Sequence, residues 1–264
     1  MTSGSLTLKA VGDIGLNSRI GELLASRGAA HLFERTKECL SGADLLFGNL
    51  EMPLAPASAK AALPEVRESF RADPAHAGAL RAAGFSLLSL ANNHVMDFGI
   101  AGLRSTHDAL RRAGIPHVGS GENLAEARQP VILTVRGLRV GVLAFAQQGR
   151  HSATATGPGA APLVEAMIVE DLESLGRRAD IRIVSLHFGM VYSDYPSPED
   201  RGLARRLAQA GADLILGHHP HVVQGVERRG RSLIAYSLGE FLFDPACGHV
   251  VSRVGAQARR QTMV

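Results

Sequence analysis

The sequence predicts an α/β fold carried mainly on parallel strands. Helical and strand-like hydrophobic patterns alternate from one end of the chain to the other, the arrangement that lays helices on the faces of a parallel sheet. Glycine follows the helical stretches at Gly28, Gly84 and Gly114, where a left-handed residue closes a helix at least steric cost. The chain has 264 residues, 45% of them hydrophobic, enough to bury a core without disulfides or a structural metal. No linker-like stretch divides it, so residues 1–264 are expected to form one domain.

Leu6 to Val11 alternates as a strand, and Arg19 to Arg27 puts Ile20, Leu23 and Leu24 on one helical face before Gly28. The apolar run ending Asp44 to Phe47 reads as a buried strand. Pro74 to Ala83 opens on a proline suited to a first helical turn and stops at Gly84. Phe85 to Leu90 is then a strand, and Leu103 to Ala113 a helix that Gly114 stops. Val131 to Val135 and Arg139 to Phe145 flank Arg136-Gly137 as a hairpin. A helix over 164–178, a strand from Ile181 to Leu186, a helix from Glu199 to Ala210 and a strand from Leu214 to Leu216 complete the wound part. Short strands at Val222 to Val226, Leu233 to Tyr236 and Glu240 to Phe243 give a meander-like ending. Three loops rich in Gly, Pro, Ala and Ser interrupt the rhythm, Met52 to Pro64, Gln147 to Pro162 and Tyr192 to Pro198. In a compact domain such loops are functional lids or disordered segments.

Charge and cysteine content exclude several roles. The 28 Lys and Arg exceed the 25 Asp and Glu by too little, and are too scattered, to form a nucleic-acid footprint. Cys39 and Cys247 lie far apart, which supports no disulfide framework and points to a reducing compartment, the cytoplasm. The opening MTSGSLTLKAVGD lacks the basic start and apolar core of a secretory signal. No apolar run reaches the roughly 18 residues of a membrane span.

One phrase recurs. SGADLLFGNLE (41–51), AAGFSLLSLANNH (82–94) and AGADLILGHHPH (210–221) each pass through small residues and an apolar strand into polar groups. LTLKAVGD likewise ends on Asp13, and IRIVSLH on His187. In parallel sheets the C-terminal strand ends share one edge, where ligands collect. Asp13, Asn49, Glu51, Asn92, Asn93, His94, His187, His218, His219 and His221 are therefore expected together. Carboxylate, amide oxygen and imidazole suit Zn, Mn, Fe or Ni, and no cysteine joins them. Each piece has a plainer reading. Asp13 caps a turn, His187 is a hydrogen-bonded core residue, and Asn92-Asn93 supplies turn geometry. Three imidazoles in HHPH fit a dry core less well.

VGDIG (11–15), GNLEMPL (48–54), SLANNHVMDFG (89–99), SLHFG (185–189), GHHPHVVQGVE (217–227) and YSLGEFLFD (236–244) together resemble the CapA family of poly-γ-glutamate capsule synthesis proteins, grouped with the calcineurin-like metallophosphoesterases. The resemblance covers nearly the whole chain. It implies a metallophosphoesterase-like four-layer α/β/β/α sandwich with one or two divalent metal ions (Mn, Zn, Fe or Ni) at the strand ends. By similarity, Asp13 and Glu51 serve the first ion, with Glu51 a candidate bridge. Asn93 and His187 serve the second. His219 and His221 occupy the Gly-His-x-His ligand positions, with His218 as a substitute for one of them. His94 matches the catalytic histidine, and Asp97 either orients it or caps the helix near Gly99. Asn49, Asn92 and Glu240 are further candidates, and Arg150 and Tyr192, with Arg67 and Arg71, are candidate substrate contacts.

The sequence departs from the family pattern in three places. The usual Asp-x-His opening is Asp13-Ile14-Gly15, so the first ion lacks an imidazole. Val191 stands where the family often has Glu, and Glu240 where it usually has Asn. The final ARRQTMV reads as the start of another expected strand, either cut short or merely brief. The resemblance implies a hydrolase in which a metal-activated water attacks a phosphoester or amide bond of a small or polymeric anionic substrate, linked to capsule synthesis and its partner proteins. The contrasting reading is a non-catalytic accessory protein that binds an anionic polymer.

Overall fold

The computed structural model describes residues 5–62 and 70–244. Arg67, Cys247, the end of the Met52 to Pro64 loop and the expected strand at 258–264 lie outside the described residues. In chain order the elements are β1 (Leu8–Ile14), α1 (Ser18–Leu32), α2 (Lys37–Leu40), β2 (Leu45–Leu50), α3 (Ala77–Ala82, entered through a 3-10 turn at Pro74–His76), β3 (Leu87–Ser89), α4 (Gly99–Ala113), β4 (His117–Val118), β5 (Ser120–Gly121) and α5 (Leu124–Ala127). There follow β6 (Val131–Val135), β7 (Leu138–Ala146), β8 (Gly159–Ala160), α6 (Glu165–Gly176), β9 (Ile181–His187), α7 (Pro198–Gln209), β10 (Leu214–His218), β11 (Val226–Arg229), β12 (Ser232–Ala235) and β13 (Glu240–Leu242).

The strands form two main sheets. One is wholly parallel, in the order β13-β1-β2-β3-β4, and the other runs β11-β12-β10-β9-β7-β6. In the second, β12, β10, β9 and β7 are parallel, and β11 and β6 close the edges antiparallel. Side-chain alternation along β7 shows what each face covers. Val140, Val142, Ala144 and Ala146 join the core shared with β1 to β4 and α1, α3 and α4. Leu143 and Phe145 join the core under α6 and α7. Period-two burial on both faces is what a sheet between two layers requires. The result is helices, sheet, sheet, helices, as the resemblance implied.

The segment 232–242 links the layers. Its first half, β12, lies parallel to β10, and its second half, β13, lies parallel to β1. Between them, Leu238 donates its N–H to Gly217 O (3.0 Å) and Gly239 O accepts from Asp13 N (2.9 Å). The crossover passes so close that a Cβ on Gly12 would fall 1.9 Å from Gly239 O, and one on Gly217 1.9 Å from Tyr236 O. Only glycine fits at these two places.

Two expectations need correction. Gly28 (φ 77°, ψ 171°) breaks α1 rather than ending it, and the helix resumes for a last turn to Leu32. Val222 to Val226 does not form a strand. Its apolar pattern reflects burial of Val222, and it meets 236–239 only through irregular contacts, Gln224 N to Ser237 O (3.1 Å) and Tyr236 N to Gly225 O (3.2 Å), while Leu238 N and Gly239 O bond Gly217 and β1. Only an isolated Val223–Leu238 bridge forms, and the ladder starts at Val226. No helix among the described residues is long and apolar enough to cross a membrane.

Candidate metal centre

The register of both sheets carries the chemistry to one edge. Asp13 on β1 is level with Asn49 on β2 and Glu240 on β13, and His187 on β9 is level with His218 on β10. Glu51 follows β2 directly and is anchored by its N–H to Ile14 O (3.0 Å). The five strand ends thus meet, although they belong to two sheets rather than one.

Two carboxylates form the floor. Asp13 is fully buried, and its Oδ1 accepts from Asn49 Nδ2 at 2.9 Å. His218 Nδ1 lies 3.3 Å from the same oxygen, and His221 Nδ1 lies 3.3 Å from Oδ2. Glu51 is also fully buried, with Oε1 3.4 Å from His187 Nε2 and 3.7 Å from His221 Nε2. His187 Nε2 further shares a 2.8 Å hydrogen bond with Asn93 Oδ1. His219 packs its ring 4.7 Å from that of His187. His219 (φ 95°) and His221 (φ 57°) both hold the left-handed backbone conformation. Non-glycine residues rarely adopt it, and the strain concentrates where function over-determines geometry.

The charges do not balance within the chain. Burial and the nearby charge of Asp13 push the Glu51 carboxyl well above its usual range. Asp13, despite its own burial, is held well below by His218 and His221. Burial favours a neutral His221, yet Glu51, Asp13 and Glu240 outweigh it and raise that imidazole to about 10. His219 is lowered to about 4 by burial and by His221, and burial with His219 also holds His187 well below its usual value. Glu240 rises to about 7 through burial. Both oxygens of Glu51, both ring nitrogens of His218 and Nδ1 of His219 and His221 find no hydrogen bond in the protein. An unpaired buried carboxylate costs several kcal/mol, whereas a bound cation inverts that cost. Ligand atoms of Asp13, Glu51 and His221 lie within 4.8 Å of one another, as do those of Glu51, His187 and His219. The donors present therefore fit divalent metal, in two groups that share Glu51.

Around this floor the other expected residues take distinct places. Asn92 braces the turn after β3, donating to Leu50 O (2.8 Å) and accepting from His94 N (3.1 Å). Asn49 braces Asp13 and faces His187 Nδ1 at 3.4 Å. His94 Nδ1 bonds Asp97 Oδ2 at 2.9 Å, and Asp97 also accepts from Phe70 N at 2.8 Å. Asp97 therefore does not cap α4, which Phe98 precedes without a side-chain cap. Phe70 packs edge-on to the His94 ring at 4.5 Å. The Tyr192 ring lies 6.0 Å from that of His221. Arg150 is exposed, and Arg71 donates to Ala55 O (3.0 Å) inside its own loop. The sequence reading missed His151. This half-buried residue beside Arg150 bonds Gln147 O at 3.0 Å and feels the charge of His94 and Asp97. Its place in a loop, outside any strand end, gave no signal beyond its chemistry.

The chain is similar to known proteins over most of its length. The family model for the bacterial capsule synthesis protein PGA_cap matches residues 7–245. The capsule biosynthesis protein CapA of Bacillus anthracis is 33% identical over 254 residues, covering 90% of this chain and 60% of that protein. The PGA biosynthesis protein CapA of Bacillus subtilis strain 168 is 30% identical over 243 residues, covering 90% and 63%. The chain thus spans less than two thirds of the length of these relatives. The crystal structure of a 5'-nucleotidase from Candida albicans SC5314 aligns with 88% of this chain and 46% of its own at a TM-score of 0.51 and 13% identity. That likeness concerns the fold, which is of the metallophosphoesterase type. With the family match running from the start of β1 past the end of β13, the chain belongs to the PGA_cap family of bacterial capsule synthesis proteins.

Proposed function

We propose that the chain is a metal-dependent hydrolase that cleaves a phosphoester or amide bond in an anionic substrate connected with poly-γ-glutamate or capsule synthesis. The observation that carries this reading is Glu51, fully buried, with neither oxygen in a hydrogen bond and shared by two groups of ligands. Asp13, Glu51 and His221 would hold one ion, and Glu51, His187 and His219, with Asn93 beside His187, the other. Bound there, a divalent ion supplies Lewis acidity and lowers the pKa of a coordinated water towards neutrality.

The chain's own groups do the rest. Asn49 fixes Asp13 by its 2.9 Å hydrogen bond. The Asp97 carboxylate receives Nδ1–H of His94, which orients the ring and leaves Nε2 to carry a proton to a leaving oxygen or nitrogen. Phe70, edge-on to that ring, shields the bond to Asp97 from water. His94 and His151 lie near enough to His219 to act on its charge, and so flank the ligands.

Elemental analysis of the purified protein, with a phosphoester and amide screen on metal-stripped and Mn-, Zn-, Ni- or Fe-loaded samples, tests this. One or two ions per chain and metal-dependent turnover, abolished in His94→Ala with metal retained, are expected. No metal under any loading would overturn it. Polymer binding without turnover would favour an accessory role.

A further inference from the structure

β13 sets Glu240 level with Asp13, at the edge of the parallel sheet. Its Oε1 lies 3.7 Å from His221 Nδ1, while Nε2 of the same ring lies 3.7 Å from Glu51 Oε1. The imidazole thus turns one nitrogen towards the shared carboxylate and the other towards Glu240. A metal-ligating histidine donates its second ring N–H to a carboxylate, carbonyl or water that fixes its tautomer and orientation. Asp13 Oδ2 is also near Nδ1, at 3.3 Å, but Asp13 belongs to the ligand group itself. Glu240 stands outside that group and is free of its demands. His221 Nδ1 thus has two carboxylate neighbours, Asp13 at 3.3 Å and Glu240 at 3.7 Å, and the ring they flank sits on a strained backbone. At His187, by contrast, Nδ1 faces the Asn49 amide nitrogen, a donor, at 3.4 Å.

We propose that Glu240 is the positioning residue of His221. It holds the ring with Nε2 towards Glu51 and adds a negative charge beside Asp13, Glu51 and His221, so that this group binds a divalent cation more tightly than Glu51, His187 and His219 do. The inference rests on the metal-centre reading above.

Titration calorimetry of the metal-stripped full chain with manganese chloride tests it, alongside metal-free melting curves that check folding. Wild type is expected to show two binding steps. Glu240→Gln should weaken the tighter step about 10- to 100-fold and leave the other within about twofold. Glu240→Asp, which keeps the charge, should fall between the two. If Glu240 acts through the ring, adding Glu240→Gln to His221→Gln should cost less than about twofold more. Matching isotherms for Glu240→Gln and wild type would overturn the inference while leaving the metal centre intact. So would an undiminished effect in the His221→Gln background. Failure of wild type to take up manganese would overturn both.

Discussion

Replacing Glu51 by Gln removes the one carboxylate that both ligand groups share, with almost no change in shape. An ion held at about a hundred times its dissociation constant stabilises the folded chain by about 2.7 kcal/mol, so two ions give about 5 kcal/mol. For a chain of this size 1 kcal/mol moves the melting temperature by about 2–4 °C. Saturating manganese should therefore raise the wild-type midpoint by roughly 10–20 °C. Glu51→Gln is expected to lose nearly all of that rise, and His187→Ala, which touches one group only, about half. Without metal the order reverses. The wild-type carboxyl has no hydrogen bond and is pushed upward by burial and by Asp13, so the neutral amide should melt at or above wild type in chelator. Thermal melts followed by circular dichroism, with and without manganese, read both effects. A Glu51→Gln variant that kept half or more of the manganese-induced rise would refute a shared ligand.

The remaining predictions concern chemistry, pH and packing. His94→Ala should lower turnover about 10²- to 10⁴-fold in steady-state assays while metal content stays at the wild-type level. His107 is half-buried against His117 and bonded to Ser120 Oγ at 2.9 Å, and loss of solvent lowers it to about 4. Its folded value lies below the unfolded one, so the unfolded chain takes up the proton first as pH falls. The stability it contributes is complete above about 6.5 and is lost towards pH 4. Denaturant titrations at pH 7 and pH 5 should differ by about 2 kcal/mol from this ring alone, a difference that His107→Gln should remove. Gly12→Ala and Gly217→Ala each drive a methyl into a backbone carbonyl and should cost more than about 3 kcal/mol, measurable by urea unfolding. An unchanged midpoint in either would contradict the tight crossover.

Much of this was legible in the chain because strand ends announce themselves. Where a run such as LLFGNLE passes from continuous apolar residues to amide and carboxylate, burial on both faces must stop and a polar edge must begin. The hairpin around Arg136-Gly137 was equally plain from its turn chemistry, and both residues have positive φ. What local pattern could not reveal was partnership at long range. Nothing in LTLKAVGD states that β1 pairs with β13 rather than only with β2, and nothing in HVVQGV states that its partner segment will share its hydrogen bonds with Gly217 and β1. Asp97 illustrates the same limit. A carboxylate before a helix caps it by default, and only the arrival of Phe70 and the His94 ring reveals a different partner.

The crossover between β12 and β13 also places the site in time. His219 follows Asp13 by 206 positions, which at about 5–20 residues per second is roughly 10–40 s of synthesis. Until the segment from His219 to Leu242 has emerged, β1 has an open edge and its carboxylate lacks both the imidazoles and the strand that covers it. A half-made chain therefore lacks the Asp13, Glu51 and His221 group that could hold an ion. On the proposed metal reading, uptake would follow the pairing of β13 with β1, and metal supply would govern how much of the protein works without governing whether it begins to fold.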